Sequence, residues 1–158
     1  MELLIIFCAT YLIVLSPLLV LLAYYLANPE KRKLMIQLSV VSLPIAYLLS
    51  LLARYAYFDP RPFVVENVTP LIPHVADNGF PSDHMLLAAT LAAIVMCIHR
   101  KWSALLWLIA LVVGFARVAA HVHHVTDILG SAGIAIASIG IGHAIIEHLW
   151  NKKKQIRF

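Results

Sequence analysis

Charged residues are scarce in this chain. They make up 13% of its 158 residues, whereas 62% of the residues are apolar and the mean hydropathy is +0.88. An ordinary soluble domain has roughly 25% charged residues and about 45–50% apolar ones. A chain this short buries only about two thirds of its surface when it folds in water, which is too little interior for so many apolar side chains. The composition therefore excludes a soluble globular protein, and equally a disordered or fibrous one.

Cysteine is rare as well, since only Cys8 and Cys97 occur and both lie inside apolar runs. This indicates small core residues and gives no sign of a disulfide framework. Acidic residues are fewer than basic ones, and the formal charge is +4. In a soluble protein this balance would suggest nucleic acid, but in a chain this apolar the basic residues first report membrane topology. We expect no nucleic-acid partner.

Five apolar stretches dominate the chain, and each is a candidate membrane helix, which needs about 20 apolar residues to cross a bilayer. They are 3–27, 34–53, 83–98, 102–117 and 125–149, with a break at 28–33 and an outer loop at 54–82. The first stretch is too long for a signal-peptide core and lacks a basic leader, so we expect it to be retained. The sequence predicts an all-α, polytopic membrane bundle that forms a single domain over residues 1–158.

Most basic residues are predicted to lie on one side of the membrane. Nine of the twelve follow the first, third and fifth stretches: Lys31, Arg32, Lys33, Arg100, Lys101, Lys152, Lys153, Lys154 and Arg157. Because basic loop residues mark the cytoplasmic side, the amino terminus is expected outside and the carboxyl terminus in the cytoplasm. The other three, Arg54, Arg61 and Arg117, are then left on the outer side.

The third and fourth stretches are short. Their uncharged parts, 85–98 and 102–116, would cover only ~21–23 Å of a hydrocarbon core about 30 Å thick. Both helices are therefore expected to begin or end below the outer surface. Polar residues at those ends would lie near the outer lipid headgroups, where an ionisable cluster is functional by default. These residues are His84, Arg117, His121, His123 and Asp127.

The residue types in this cluster suit a phosphate. Arginine presents a planar, permanently charged fork of donors that matches phosphate oxygens. The predicted helix start at Pro81-Ser82-Asp83-His84 offers free backbone N–H groups and a positive dipole end. His123 and Asp127 are spaced i and i+4, so that on a helix the carboxylate would hold the imidazole in one tautomer.

Three segments together resemble the signature of the type-2 phosphatidic-acid phosphatase superfamily, which is Lys-x6-Arg-Pro, Pro-Ser-Gly-His and Ser-Arg-x5-His-x3-Asp. Here they read Arg54-x6-Arg61-Pro62, Pro81-Ser82-x-His84 and Arg117-x5-His123-x3-Asp127, in the same order. Three positions depart from the pattern: Arg54 replaces lysine, Asp83 replaces glycine and Ala116 replaces serine. The Pro-Ser-Asp-His variant resembles the undecaprenyl pyrophosphate phosphatase branch.

The resemblance implies a role for each matched residue. His123 would be the nucleophile that forms a phosphohistidine, Asp127 its orienting partner and His84 the general acid. The implied phosphate-binding residues are Arg54, Arg61, Ser82, Asp83 and Arg117. The family needs neither metal nor cofactor. This chemistry suits the residues, because phosphoryl transfer depends on charge stabilisation and alignment, and a nucleophile divides the hydrolysis into two easier steps.

The implied substrate is a lipid phosphate or pyrophosphate at the outer leaflet of the cell membrane. The favoured candidate is undecaprenyl pyrophosphate, hydrolysed to undecaprenyl phosphate and phosphate on the periplasmic or extracellular side. The first and fifth helices are expected to flank a groove for the isoprenoid chain. Membrane lipids are the expected partners, and the sequence does not determine the oligomeric state.

Other interpretations remain open from the sequence. The same site could serve phosphatidic acid, phosphatidylglycerol phosphate or lipid A, or a non-catalytic protein that binds or transports phospholipids. Any one arginine could snorkel to the interface. His121, His123, His124 and Asp127 could hold a metal ion, although three neighbouring arginines would repel a divalent cation.

Overall fold

A computed structural model describes residues 1–155, with side chains through Leu149. Its helices are α1 (Glu2–Thr10), α2 (Leu15–Leu26), α3 (Pro29–Ala56), α4 (Pro62–Val65), α5 (Asp83–Met96), α6 (Arg100–Ala119) and α7 (Val125–Gln155), with a 3₁₀ turn at Leu12–Val14 between α1 and α2. Within residues 1–155 the chain contains no β-strand. Of the basic residues predicted near the carboxyl terminus, Arg157 and the side chains of Lys152, Lys153 and Lys154 lie outside the described part.

The helices confirm the predicted polytopic membrane bundle. Four segments are long and apolar enough to cross a membrane, namely Glu2–Leu26, Pro29–Ala56, Arg100–Ala119 and Val125–Leu149, and Asp83–Met96 is a shorter apolar helix. The first predicted helix is observed as α1 and α2 joined by the 3₁₀ turn. Successive spans run in opposite directions, so the ends of α3 and α6 and the starts of α5 and α7 meet on one side of the bundle.

The predicted break at 28–33 is a tight joint in the structure. Asn28 caps α3, because its side-chain oxygen accepts a hydrogen bond from the backbone N–H of Lys31 at 3.0 Å, and Pro29 occupies the first helical position. The Arg32 guanidinium reaches back to the last carbonyls of α2, those of Tyr24 and Ala27, at 3.0 and 2.8 Å. The Tyr24 carbonyl also accepts the backbone N–H of Ala27 at 3.2 Å, and Ala27 follows the last residue of α2. Arg32 therefore adds donors at a helix end, where carbonyls lack their regular helical partners.

Helix α6 is longer than the sequence suggested. It runs from Arg100 to Ala119 over 20 residues, which is about 30 Å at 1.5 Å per residue and enough to cross the bilayer core. The expectation that the fourth helix is short was therefore wrong. Charged residues at both ends continue the helix instead of ending it, and Arg117 is buried among acceptors near its end. Helix α5 remains short, at 14 residues.

Helix α5 is the centre of the bundle, in contact with α2, α3, α6 and α7. Its alanines, Ala88, Ala89, Ala92 and Ala93, are fully buried, and small residues let neighbouring helices approach closely. A helix that is apolar on all sides belongs in an interior. As a result, the amino-terminal turn of α5 lies in the middle of the end where the polar residues collect.

The loop at residues 57–82, which the sequence predicts on the outer side, is a folded cap rather than an open connection. Asn78 ties it together: its side-chain oxygen accepts from the backbone N–H groups of Asp59 and Phe80, each at 3.0 Å. Its amide group donates to the carbonyls of Arg54 and Tyr57 at 3.0 and 2.9 Å. The loop is thereby attached to the end of α3.

A second set of contacts attaches this cap to the end of α6. The backbone N–H of Leu71 bonds the carbonyl of Ala120 at 3.1 Å, and that of Phe63 bonds the carbonyl of His121 at the same distance. Ile72 is buried against Ala9 of α1 and Val122. The cap thus joins the ends of α1, α3 and α6 over one face of the bundle.

The cap packs closely against α7 at Gly130, and a substitution there tests this fit. A Cβ at this position would overlap the ring of Phe80, which packs edge-on against Tyr57 with ring centroids 5.0 Å apart. We expect Gly130→Ala to lower the melting temperature in detergent, because overpacking typically costs about 1–3 kcal/mol.

Gly133, on the same helix, is the matched control. A Cβ there would meet nothing within 4 Å, and alanine is favoured over glycine in a helix by about 1 kcal/mol. Gly133→Ala should therefore melt at or above the wild-type temperature. Equal melting temperatures for the two variants would contradict the close fit of Phe80 against α7.

Candidate active site

The residues of the three sequence motifs meet at one end of the bundle. Arg54 comes from the last turn of α3, His84 from the first turn of α5, and Arg117 from the last turn of α6. Arg61 comes from the cap, and His123 from the turn between α6 and α7. Three helix ends, the cap and the turn between α6 and α7 therefore supply these five residues.

His123 and Asp127 form a buried pair. Their side chains are 3% and 0% exposed, and His123 Nδ1 lies 3.1 Å from Asp127 Oδ2. The predicted start of the fifth helix, residue 125, is the observed start of α7, so that His123 lies just before the helix and Asp127 in its first turn. Asp127 reaches back from the first turn, and the same oxygen accepts the backbone N–H of His124 at 2.9 Å, as the carboxylate of a capping box does.

This pairing decides which ring nitrogen of His123 is free. A carboxylate only accepts hydrogen bonds, so Nδ1 carries the proton and Nε2 keeps its lone pair in the neutral ring. Burial lowers the pKa of His123, the hydrogen bond that its Nδ1–H donates to Asp127 opposes that effect, and the charges of Arg117 and Arg61 lower the pKa further. The net shift is downward, which favours a neutral imidazole with Nε2 available.

Arg61 lies directly beside that nitrogen. Its Nη1 is 3.4 Å from His123 Nε2 and donates to the carbonyl of Val122 at 2.8 Å. Its Nε donates to Asp77 Oδ1 at 2.6 Å. Although partial burial raises it, the pKa of Asp77 is held below its ordinary value by the hydrogen bond and charge of Arg61. A phosphoryl group bound by Arg61 would lie against His123.

Arg117 is buried on the other side of the site, at 3% exposure. Its Nη1 donates to the carbonyl of Ala9 at 3.1 Å, and its Nη2 to His74 Nε2 at 2.9 Å. Its Nε is buried and has no hydrogen-bond partner among the described residues. Both of these partners are neutral acceptors. They hold the guanidinium of Arg117 without neutralising its positive charge.

Arg54 and Asp83 are in contact with each other, at 2.9 Å between Nη2 and Oδ1. Their side chains are 38% and 73% exposed, so the pair lies at the mouth of the site. The sequence grouped Asp83 with the phosphate-binding residues, whereas here its carboxylate is the partner of Arg54. Arg54 and Asp83 both depart from the family pattern, and in the fold they form one ion pair.

Ser82 and His84 stand at the start of α5. The Ser82 hydroxyl is buried and has no partner among the described residues, and the Ser82 carbonyl accepts from Ser131 of α7 at 3.0 Å. His84 is half-buried, and its ring is near enough to Arg117 and His123 to interact with their charges. The first turn of α5 therefore faces the same space as the buried arginines.

The side chains of the neighbouring histidines, His121 and His124, contact other residues than His123 and Asp127. His121 has a positive φ of 60° and its Nδ1 lies 3.4 Å from Glu66 Oε2. His124 Nε2 lies 3.1 Å from the carbonyl of Pro60. Within residues 1–155, no three or more His, Cys, Asp or Glu side chains come together as a metal site would require. In the described part of the chain, the side chains of His121 and His124 therefore have other partners than those of His123 and Asp127.

Sequence reasoning missed three cap residues that hold the site: His74, Asp77 and Asn78. His74 contacts Arg117, Asp77 contacts Arg61, and Asn78 fixes the loop to α3. They lie between the first and second motifs, in a stretch without a recognisable pattern. For His74 and Asp77 the available signal was an ionisable side chain in a loop between two motifs, and Asn78 offered none.

Comparisons with known proteins agree with this arrangement. The family model described as "PAP2 superfamily" matches residues 34–151. The undecaprenyl-diphosphatase BcrC of Bacillus subtilis is 36% identical over 134 residues, which cover 83% of this chain and 67% of that protein. The putative undecaprenyl-diphosphatase YbjG of Escherichia coli is 34% identical over 136 residues, covering 85% and 67%.

A solved structure supports the fold. The crystal structure of Aquifex aeolicus LpxE has a TM-score of 0.70 and 27% sequence identity to this chain, and the match covers 90% of this chain and 86% of LpxE. The family match spans all three motifs and the helices that carry them. The chain therefore belongs to the PAP2 superfamily and is an integral-membrane lipid phosphatase of that type.

Proposed function

We propose that this phosphatase hydrolyses undecaprenyl pyrophosphate to undecaprenyl phosphate and inorganic phosphate through a phosphohistidine on His123, without a metal ion or cofactor. The buried His123–Asp127 pair carries the proposal, because it leaves Nε2 unprotonated 3.4 Å from an arginine Nη1. Two relatives named as undecaprenyl-diphosphatases support the choice of substrate. The whole described chain acts as one domain in this proposal.

In the first step the terminal phosphate binds Arg61, Arg117 and the N–H groups at the start of α5. His123 Nε2 attacks phosphorus in line, forming the N–P bond as the bond to the bridging oxygen breaks. His84 donates its proton to the departing undecaprenyl phosphate oxygen. The arginines stabilise the charge that spreads over the equatorial oxygens, which is the main requirement of phosphoryl transfer.

In the second step the phosphohistidine is hydrolysed. His84, now unprotonated, takes a proton from a water molecule whose oxygen attacks phosphorus. The N–P bond breaks, its electron pair returns to Nε2, and inorganic phosphate leaves. Asp127 supports both steps, since it holds Nδ1–H and stabilises the positive charge of the imidazole in the intermediate.

An apolar groove supports a lipid substrate. It has a volume of about 430 Å³, lies between α3 and α5, and ends at Arg54 and Asp83. Its apolar lining comes from Leu43, Ala46, Leu51, Leu86 and Leu87. We assign this groove to the lipid chain next to the pyrophosphate, in place of the groove between the first and fifth helices expected from the sequence.

The basic residues support an active site that faces the periplasmic or extracellular side. Lys31, Arg32 and Lys33 lie in the first turn of α3, and Arg100 and Lys101 in that of α6, at the end of the bundle away from His123. Basic residues favour the cytoplasmic side, so the site belongs on the outer side, at the depth of the outer-leaflet headgroups.

His123→Ala tests the proposed nucleophile. It should abolish phosphate release, because the phosphoenzyme is proposed to form on Nε2 of His123, and it should leave lipid binding largely intact. Acid-labile phosphate should be trapped on the wild-type protein and be absent from the variant. His148→Ala is the matched control, since His148 is an exposed histidine far along α7 and should behave as the wild type. Turnover by His123→Ala would contradict the mechanism.

The substrate is tested by phosphate release from a panel of lipids presented to purified protein in detergent. Undecaprenyl pyrophosphate should give the highest kcat/KM, ahead of phosphatidic acid, phosphatidylglycerol phosphate and lipid A. A place among the poorest substrates would overturn the assignment and favour one of the other lipids. Release should be unchanged in EDTA, whereas its loss would show that a metal ion is required.

The orientation is tested with single cysteines in a background where Cys8 and Cys97 are serine. Thr69→Cys in the cap and Lys101→Cys at the start of α6 are both at exposed positions. A membrane-impermeant maleimide should label the first in intact spheroplasts and the second only after permeabilisation. The reverse pattern would place the site in the cytoplasm.

A further inference from the structure

His74 touches the site on two sides although it belongs to none of the three motifs. Its Nε2 is 2.9 Å from Arg117 Nη2, and its ring packs edge-on against the ring of His123 with centroids 6.1 Å apart. The residue is half-buried in the cap. It is therefore in contact with both a buried arginine and the proposed nucleophile.

The chemistry of this contact fixes the state of the His74 ring. Guanidinium has donors and no acceptor, so His74 Nε2 must accept and Nδ1 must carry the proton. Burial, together with the charges of Arg61 and Arg117, lowers the pKa of His74 to about 4. The ring is therefore neutral at physiological pH, as the hydrogen bond requires.

A neutral acceptor suits an arginine that has to bind phosphate. A carboxylate in this place would compensate the charge of Arg117 and repel an incoming phosphate. His74 and the Ala9 carbonyl hold the two Nη atoms without adding negative charge. The Nε of Arg117, buried and unpartnered among the described residues, remains for a ligand.

We propose that His74 is a positioning residue that accepts a hydrogen bond from Arg117 and so fixes the guanidinium for phosphate binding beside His123. The proposal rests on the phosphatase function and adds to the three motifs a residue of the cap that belongs to none of them. His74 acts through Arg117 and does not itself take part in proton or phosphoryl transfer. Arg61 differs from Arg117, because its partner in the cap is the carboxylate of Asp77, at a more exposed position.

Paired substitutions separate hydrogen bonding from packing. His74→Phe keeps a ring against His123 and removes the acceptor, His74→Met removes both, and His74→Gln keeps an acceptor oxygen. We expect the first two to lose roughly 10–100-fold in kcat/KM, as when the partner that orients a ligating side chain is removed. His74→Gln should retain most of the activity, and His148→Ala all of it.

A second arm measures the binding of inorganic phosphate by calorimetry, which needs no turnover. His74→Phe and His74→Met should weaken phosphate binding, whereas His74→Gln should preserve it. If the wild-type protein released no phosphate from any lipid, the proposed function would be wrong. The phosphate-binding measurement would still decide the role of His74. Melting temperatures in detergent identify the variants that fold.

Dependence on Arg117 completes the test. In an Arg117→Lys background, where lysine lacks the guanidinium fork, His74→Phe should cause little further loss, because residues that act through one contact are not additive. The proposal is overturned if a folded His74→Phe or His74→Met retains wild-type kcat/KM and phosphate affinity. It is also overturned if His74→Gln loses as much as they do, or if the losses add fully in the Arg117→Lys background.

Discussion

The burial of two guanidinium groups is the constraint on which this end of the bundle depends. Arg61 and Arg117 are only 5% and 3% exposed, and a buried charge is costly unless its donors are satisfied. The acceptors come from separate parts of the chain: the Ala9 carbonyl in α1, the Val122 carbonyl before α7, and His74 and Asp77 in the cap. Satisfying the arginines therefore ties these segments together, and the same charges form the proposed phosphate site.

Asp127 likewise combines a structural contact with a contact to the site. Its Oδ2 accepts the backbone N–H of His124 and so starts α7, and it also accepts Nδ1–H of His123. The helix start and the orientation of the proposed nucleophile thus depend on one carboxylate oxygen. Helix α5 supplies the remaining constraint, because its buried alanines bring Ser82 and His84 into the middle of the converging helix ends.

Much of this architecture could be predicted from the sequence. The scarcity of charge required a membrane bundle, and the motif spacing identified Arg54, Arg61, His84, Arg117, His123 and Asp127, all of which the fold brings to one end. One expectation was wrong where tertiary contacts override local pattern. Arg117 was expected near the end of a short helix, but acceptors from α1 and the cap let α6 run to Ala119. The grouping of Asp83 with the phosphate-binding residues stays a prediction, and in the fold its carboxylate contacts Arg54.

The sequence by itself determined the environment and the chemistry of this protein. Apolar length dictates that the helices lie in a bilayer, and the motif residues carry the donors and the proposed nucleophile for phosphoryl transfer. Only the tertiary structure decided how those groups are held. His74, Asp77 and Asn78 are unremarkable loop residues until folding places them against buried arginines or helix ends. A hydrogen bond is fixed by distance and direction between groups remote in the chain, and no local sequence pattern encodes either.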